Sequence, residues 1–110
     1  GSRLPMSAGS GAQVLTAWSG GPERDWLLES AQFTARSLAE VRRRGWAESV
    51  GQREIGVASV SAPVLDSRGE VLAAISISGP IERVGRQPGR RYGAVVAQAA
   101  AELSAAIAGR

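Results

Sequence analysis

The side chains placed for chemistry in this sequence are serines. Ser59, Ser61, Ser76 and Ser78 occupy alternate positions of two β-rich runs, residues 56–65 and 70–78. Successive side chains of a strand point to opposite faces, so the serines of each run share one face. A hydroxyl donates one hydrogen bond and accepts others, so a row of them can satisfy a carboxylate, a hydroxyl or a carbonyl. Using them as nucleophiles would require a neighbouring base. The 110 residues contain no histidine and no cysteine, and all 13 basic side chains are arginines. Ser–His, Cys–His and Ser–Lys machinery, Schiff bases, disulfides and nearly every zinc site are thereby excluded. Glu48, Glu54, Asp66 and Glu82 remain as candidate acids, and Asp66 is better explained by a turn. No carboxylate pair, metal cluster or activated nucleophile can be assembled. Neither turnover nor a cofactor is expected.

The two runs flank Asp66-Ser67-Arg68-Gly69, which suits a four-residue hairpin loop. With Leu65 facing Glu70, antiparallel pairing sets Val57 opposite Ser78, Ser59 opposite Ser76, Ser61 opposite Ala74 and Pro63 opposite Leu72. The other face then carries Ala58, Val60, Ala62, Val64, Val71, Ala73, Ile75 and Ile77, a plain apolar core. The serine face is neither charged like a solvent surface nor apolar like a second core. Two readings stay open. It is the wet side of a half-exposed antiparallel sheet, or one wall of a pocket for a small polar molecule. A slip of one residue would send the serines to the opposite side.

Helices must position this sheet. Residues 1–6 read as extended chain, with Pro5 disfavouring helix. Ser10 is the expected N-cap of a first helix whose stripe is Val14, Leu15 and Trp18 and whose end is Gly20-Gly21. Free amides at that start, with glycines at 9 and 11, would attract an anion. The local sequence Gly9-Ser10-Gly11 lacks the spacing of a nucleophile elbow. Pro22 opens a second helix, with Glu23 and Asp25 in its first turn, followed by Trp26 and Leu27.

Ser37-Leu38-Ala39-Glu40 matches a capping box for a helix that runs to Arg44 and stops at Gly45. Its Arg42, Arg43 and Arg44 suit the dipole of a last turn. Residues 46–50 form a strand, residues 51–54 a polar bend and residues 80–89 a loop. A final helix from residue 90 to residue 108 presents the stripe Tyr92, Val95, Val96, Ala99, Leu103, Ala106 and Ile107.

An apolar share of 44% and this length fit one globular domain. No apolar run reaches a membrane span and no secretory pattern opens the chain, so a cytoplasmic protein without membrane contact is expected. Ten acids leave a net charge of only +3, which argues against a nucleic-acid-binding face in this chain. Arg83, Arg86, Arg90 and Arg91 are expected to be solvated or tied to acids such as Glu82.

Several stretches together resemble the effector-binding domain of IclR-type transcriptional regulators. They are Arg3-Leu4-Pro5-Met6-Ser7-Ala8-Gly9-Ser10-Gly11, Val41-Arg42-Arg43-Arg44-Gly45-Trp46-Ala47, Gly56-Val57-Ala58-Ser59-Val60-Ser61-Ala62-Pro63-Val64 and Ala73-Ala74-Ile75-Ser76-Ile77-Ser78-Gly79-Pro80-Ile81. Their order and spacing cover nearly all of residues 1–110. The resemblance implies an α+β fold: an antiparallel sheet with helices packed on it, GAF-like, in an incomplete version of the domain. It implies a pocket for a small organic (carboxylic or aromatic) acid effector, with Ser10 and Gly11 at a helix start and Ser49, Ser59, Ser76 and Ser78 on strands. It also implies a homo-dimer or homo-tetramer that meets operator DNA only through an N-terminal winged helix-turn-helix, absent here.

Two departures qualify the match. Some family members carry a carboxylate at the position of Ser49 and a thiol at that of Ser59. The helix and strands that usually precede the Arg3-Leu4-Pro5 segment are also missing, and a bare sheet edge invites pairing. The competing expectation is a dimerising module whose serine face is simply wet, with the final helix and the arginine loop as its contact.

Overall fold

A computed structural model describes residues 9–19, 34–51 and 55–109. In chain order these form α1 (Ser10–Ala17), α2 (Ala35–Arg44), β1 (Ala47–Val50), β2 (Val57–Leu65), β3 (Val71–Pro80), a short α3 (Ile81–Val84) and a long α4 (Pro88–Ala108). The strands make one antiparallel sheet in the order β1-β2-β3, and the class is α+β as expected. The extended start, the Gly20-Gly21 stop, the helix opened by Pro22 and most of the 51–54 bend lie outside the described residues.

The hairpin closes differently from the expected four-residue loop. Asp66 N–H donates to the Glu70 carbonyl and Gly69 N–H to the Asp66 carbonyl, leaving a three-residue loop with Gly69 at φ 80°. This is the type I turn plus left-handed glycine that three-residue hairpins favour. The Asp66 carboxylate locks it by accepting from Arg68 N–H at 2.8 Å and Glu70 N–H at 3.0 Å. A bulge follows between Val64 and Leu65, so Leu65 faces Val71 whereas Val64 faces Ala73. Leu65 N–H donates instead to the Ser104 hydroxyl of α4 at 2.9 Å.

The consequence is a register displaced by two from the expected one. Val57 faces Pro80, Ser59 faces Ser78, Ser61 faces Ser76 and Pro63 faces Ala74. An even displacement returns each side chain to its own face. Only Val71, beyond the bulge, leaves the apolar set. It pairs with Leu65 and is half-buried.

Helix boundaries follow local hydrogen bonding. Ser10 is not the N-cap of α1. That position is Gly9 at φ 93°, and the Ser10 hydroxyl is engaged elsewhere. The capping box of α2 lies three residues ahead of the expected one. Thr34 Oγ1 accepts from Ser37 N–H and Ser37 Oγ accepts from Thr34 N–H, which satisfies both orphan amides. Glu40 is left to pair with Arg43 on the surface. Gly45 ends α2 in the left-handed conformation, as its sequence position predicts.

Helices cover both faces of the sheet. On the apolar face, Val60, Ala62 and Val64 of β2 pack with Val96 and Ala100 of α4, with Ile75, Ile77 and Tyr92 beside them. On the serine face, Ala12, Val14 and Ala17 of α1 pack with Leu38 and Val41 of α2 and Ala47 of β1. The expected stripe of α4 is met in part, by Tyr92, Val96 and Ile107, but the packed face is rotated toward smaller residues. Its covered face is Pro88, Gly89, Gly93, Val96 and Ala100, whereas Val95 is 62% and Leu103 45% exposed.

Trp46 explains the rotation. A Cβ at Gly89 would stand 1.9 Å from the indole, and one at Gly93 2.6 Å. The ring occupies a groove that only glycine leaves open, and the Arg44 guanidinium lies 4.0 Å from its centroid on another side. Glu48 adds a polar tie, its Oε2 accepting from Gly89 N–H at 2.7 Å.

Gly93→Ala should therefore destabilise the fold by roughly 1–3 kcal/mol through overpacking. Helix propensity alone would stabilise it by about 1 kcal/mol. Urea unfolding gives the sign, and a more stable Gly93→Ala variant would remove this account of how α4 docks.

Candidate functional site

α1 lies across the serine face with its first turn over β2. The N1 residue of a helix projects back toward the surface the helix sits on, and here that residue is Ser10, only 2% exposed. Its Oγ lies 2.6 Å from Ser59 Oγ and 2.7 Å from Ser61 Oγ. Ser59 Oγ is 2.9 Å from Ser49 Oγ on β1, and Ser61 Oγ is 2.5 Å from Ser76 Oγ on β3. Five hydroxyls thus form one chain, Ser49–Ser59–Ser10–Ser61–Ser76, spanning the sheet and the helix laid over it.

Sheet register explains who meets whom. Ser49 faces Ser59 and Ser61 faces Ser76 as cross-strand partners, and Ser59 and Ser61 are two residues apart on the central strand. A single helical hydroxyl can bridge that spacing. Gln13, one turn further along α1, sends its Nε2 to the Glu48 carbonyl of β1 at 3.0 Å. Val14 and Ala17 continue the contact apolarly. One face of one short helix therefore changes from hydroxyl to amide to aliphatic as it crosses the sheet.

Proton count gives this chain a direction. Each hydroxyl donates once. Five donors serve four contacts, so one proton is left over for a partner outside the chain. Ser49, Ser59, Ser10 and Ser61 are buried, while Ser76 is exposed. The spare donor is cheapest to leave where solvent or a ligand can accept it, at Ser76.

The candidates from sequence fall into three groups. Ser10, Ser49, Ser59 and Ser76 are brought together in the chain. Ser78 shares their face opposite Ser59 and is exposed. Gly11 sits in the first turn of α1 with nothing within 4 Å of where a Cβ would stand, and no side-chain oxygen among the described residues caps that turn. Ser61 was placed on the serine face by alternation but is outside the effector-binding set that the resemblance implies, and Gln13 is in neither. Ser61 is fully buried and joins the helix to β3, and its signal was its place midway in the alternating row. Gln13 carried no legible signal. Among the described residues, no group of three or more Asp or Glu side chains could hold a metal ion.

The chain is similar in sequence and in fold to bacterial transcriptional regulators. The family described as "Bacterial transcriptional regulator IclR C-terminal" matches residues 1–105. The HTH-type transcriptional regulator XynR of Escherichia coli K12 is 32% identical over 120 residues, covering 97% of this chain and 48% of that protein. The chain thus spans about half the length of this curated relative. The C-terminal domain of the Escherichia coli regulator KdgR superposes with a TM-score of 0.78 at 30% identity, over 98% of this chain and 74% of that one. The inducer-binding domain of PobR from Acinetobacter, as a double mutant with 3-hydroxybenzoic acid, superposes with a TM-score of 0.77 at 24% identity. It covers 94% of this chain and 67% of that one, a likeness of fold. These relatives act on transcription and are not enzymes.

Removing the central hydroxyl tests the chain as a structural tie. Ser61→Ala leaves the buried Ser10 with Ser59 alone while the exposed Ser76 turns to solvent, and a buried hydroxyl that loses a partner costs roughly 1–3 kcal/mol. Urea unfolding should show a loss in that range. A neutral Ser61→Ala would mean that the hydroxyls are merely adjacent.

Proposed function

Because the chain belongs to the IclR family of bacterial transcriptional regulators, we propose that it is the effector-binding domain of such a regulator and that its effector is a small carboxylic or aromatic acid. The observation that carries this reading is the Ser61 hydroxyl, which links Ser10 of α1 to the exposed Ser76. An acid docked at the Ser76 end accepts the spare proton of the chain. Ser78 and the first-turn amide of Gly11 offer two further donors on the same side. A carboxylate near the start of a helix is also favoured by the helix dipole.

Accepting from Ser76 holds every hydroxyl behind it in the direction that solvent at Ser76 already favours. Ser61 then donates to Ser76, Ser10 to Ser61, Ser59 to Ser10 and Ser49 to Ser59. The grip of β2 on α1 then loses its alternative directions, and that stiffening is what a covalently linked DNA-reading domain would respond to. Operator DNA is met through an N-terminal winged helix-turn-helix outside these residues, in the cytoplasm, by a homo-dimer or homo-tetramer. The same fold holds 3-hydroxybenzoic acid in the PobR domain, which supports the class of ligand at the level of fold.

The contact module is the second reading, favoured by the exposed Val95 and Leu103 on α4. Light scattering across concentration, together with a ligand screen, separates the two. Self-association with no responding acid would favour it.

A panel of small carboxylic acids with 3-hydroxybenzoate included should contain at least one that raises Tm. At a hundredfold excess over Kd the stabilisation is about 2.7 kcal/mol. Ser76→Val and Gly11→Leu should each abolish the shift without unfolding the protein. An undiminished response in both variants would reject this site.

A further inference from the structure

Away from the serine face, the structure carries an arginine-lined hollow. We propose that the turn between α3 and α4 is a binding site for a small polyvalent anion of the pyrophosphate or phosphate-ester class. A cavity of about 500 Å³ is lined there by Val84, Gly85, Arg86, Gln87, Arg90 and Arg91. That is within the usual size of small-ligand sites.

Charge in this chain is concentrated at that spot. Residues 82–91 hold four arginines and one acid, which alone accounts for the net charge of +3. The other nine arginines are matched by nine acids. Of the two expected states, solvated or tied to acids, the first holds: Arg83, Arg86, Arg90 and Arg91 are all exposed. Among the described residues none of the four forms an ion pair with an acid. The side chains of Arg86 and Arg90 have no hydrogen-bonding partner among the described residues, and the Glu48 carboxylate is committed to Gly89 N–H.

The cavity is also partly organised in advance. Arg91 Nη1 donates to the Arg83 carbonyl at 3.1 Å, and its guanidinium lies 5.2 Å from the centroid of the Tyr92 ring. Gly85, at φ 92°, turns the chain so that Arg86 and the Arg90–Arg91 pair line one hollow. Arg90 and Arg91 stand in the opening turns of a 21-residue helix that has no acid in its first turn, where the dipole disfavours cations. Arg91 has local partners, but no local contact explains Arg90 or Arg86, and an occupying anion does. Guanidinium forks match the paired oxygens of phosphate groups. A nucleic acid would need an extended basic stripe, whereas here the charge lines a concavity and the rest of the chain is balanced.

Calorimetric titration of the chain with inorganic pyrophosphate, against sodium chloride of equal ionic strength, tests this. Saturable binding is expected, weakened about tenfold by Arg86→Gln and again by Arg90→Gln. Arg68→Gln, on the hairpin loop, should bind unchanged, and unaltered melting temperatures would show that all three variants fold. Heats no larger than those of chloride, or equal weakening by Arg68→Gln, would overturn the proposal. So would duplex DNA saturating the same arginines where pyrophosphate does not.

Discussion

One buried hydroxyl, that of Ser10, is shared between Ser59 and Ser61, and much of the molecule is arranged around that sharing. A polar group removed from water must find partners inside the protein or lose several kcal/mol. Ser10 can find them only if α1 crosses the sheet with its first turn over β2, at the height where two serines stand two residues apart. That requirement fixes where α1 sits. It then determines which strand Gln13 reaches and which apolar residues Val14 and Ala17 meet. The clusters of aliphatic side chains supply most of the stabilisation, since fully burying a valine or leucine contributes roughly 1.5–3 kcal/mol. They do not by themselves choose one placement. The hydroxyls do, because hydrogen bonds have direction and length.

The two faces of the sheet solve opposite problems. The α4 face is dry and close-packed, and its closeness depends on glycines that admit the Trp46 indole. Trp46 and Glu48, near or within the edge strand β1, both reach the opening turn of α4. The α1 face keeps a row of neutral donors and acceptors with one end exposed. A change at Ser76 has a contiguous path to Ser49 through four hydrogen bonds, and every group on it can reverse its donor and acceptor roles. This combination of a rigid back and a reversible front suits a sensing domain.

Much of this was legible before any coordinates. Alternation alone placed Ser59, Ser61, Ser76 and Ser78 on one face. It survived a wrong loop length because the displacement was even. The Asp66 carboxylate decided that loop by capping two amides, an effect that residue counts do not weigh. The end of α2 at Gly45 was read correctly because a left-handed cap has a strong residue preference. Its start was missed because Thr34 and Ser37 compete for the same role three residues apart. The stripe of α4 was legible only in part, with Tyr92, Val96 and Ile107 packed on the sheet but Val95 and Leu103 turned out, for the converse reason. The largest apolar residues were assigned to the core, whereas a bulky ring on the partner element selected the smallest ones. Ser61 and Gln13 escaped because their roles depend on which helix lands on the sheet and at what height.

The claim underlying all of this is that the Ser10 and Ser61 hydroxyls act on one another and not merely beside one another. A double-mutant cycle measures that directly: unfolding free energies of the chain, of Ser10→Ala, of Ser61→Ala and of the pair. The account predicts a coupling energy of about 0.5 kcal/mol or more, since groups in one hydrogen-bonded network are not additive. Additive losses would contradict it, and the serine row would then be a coincidence of packing.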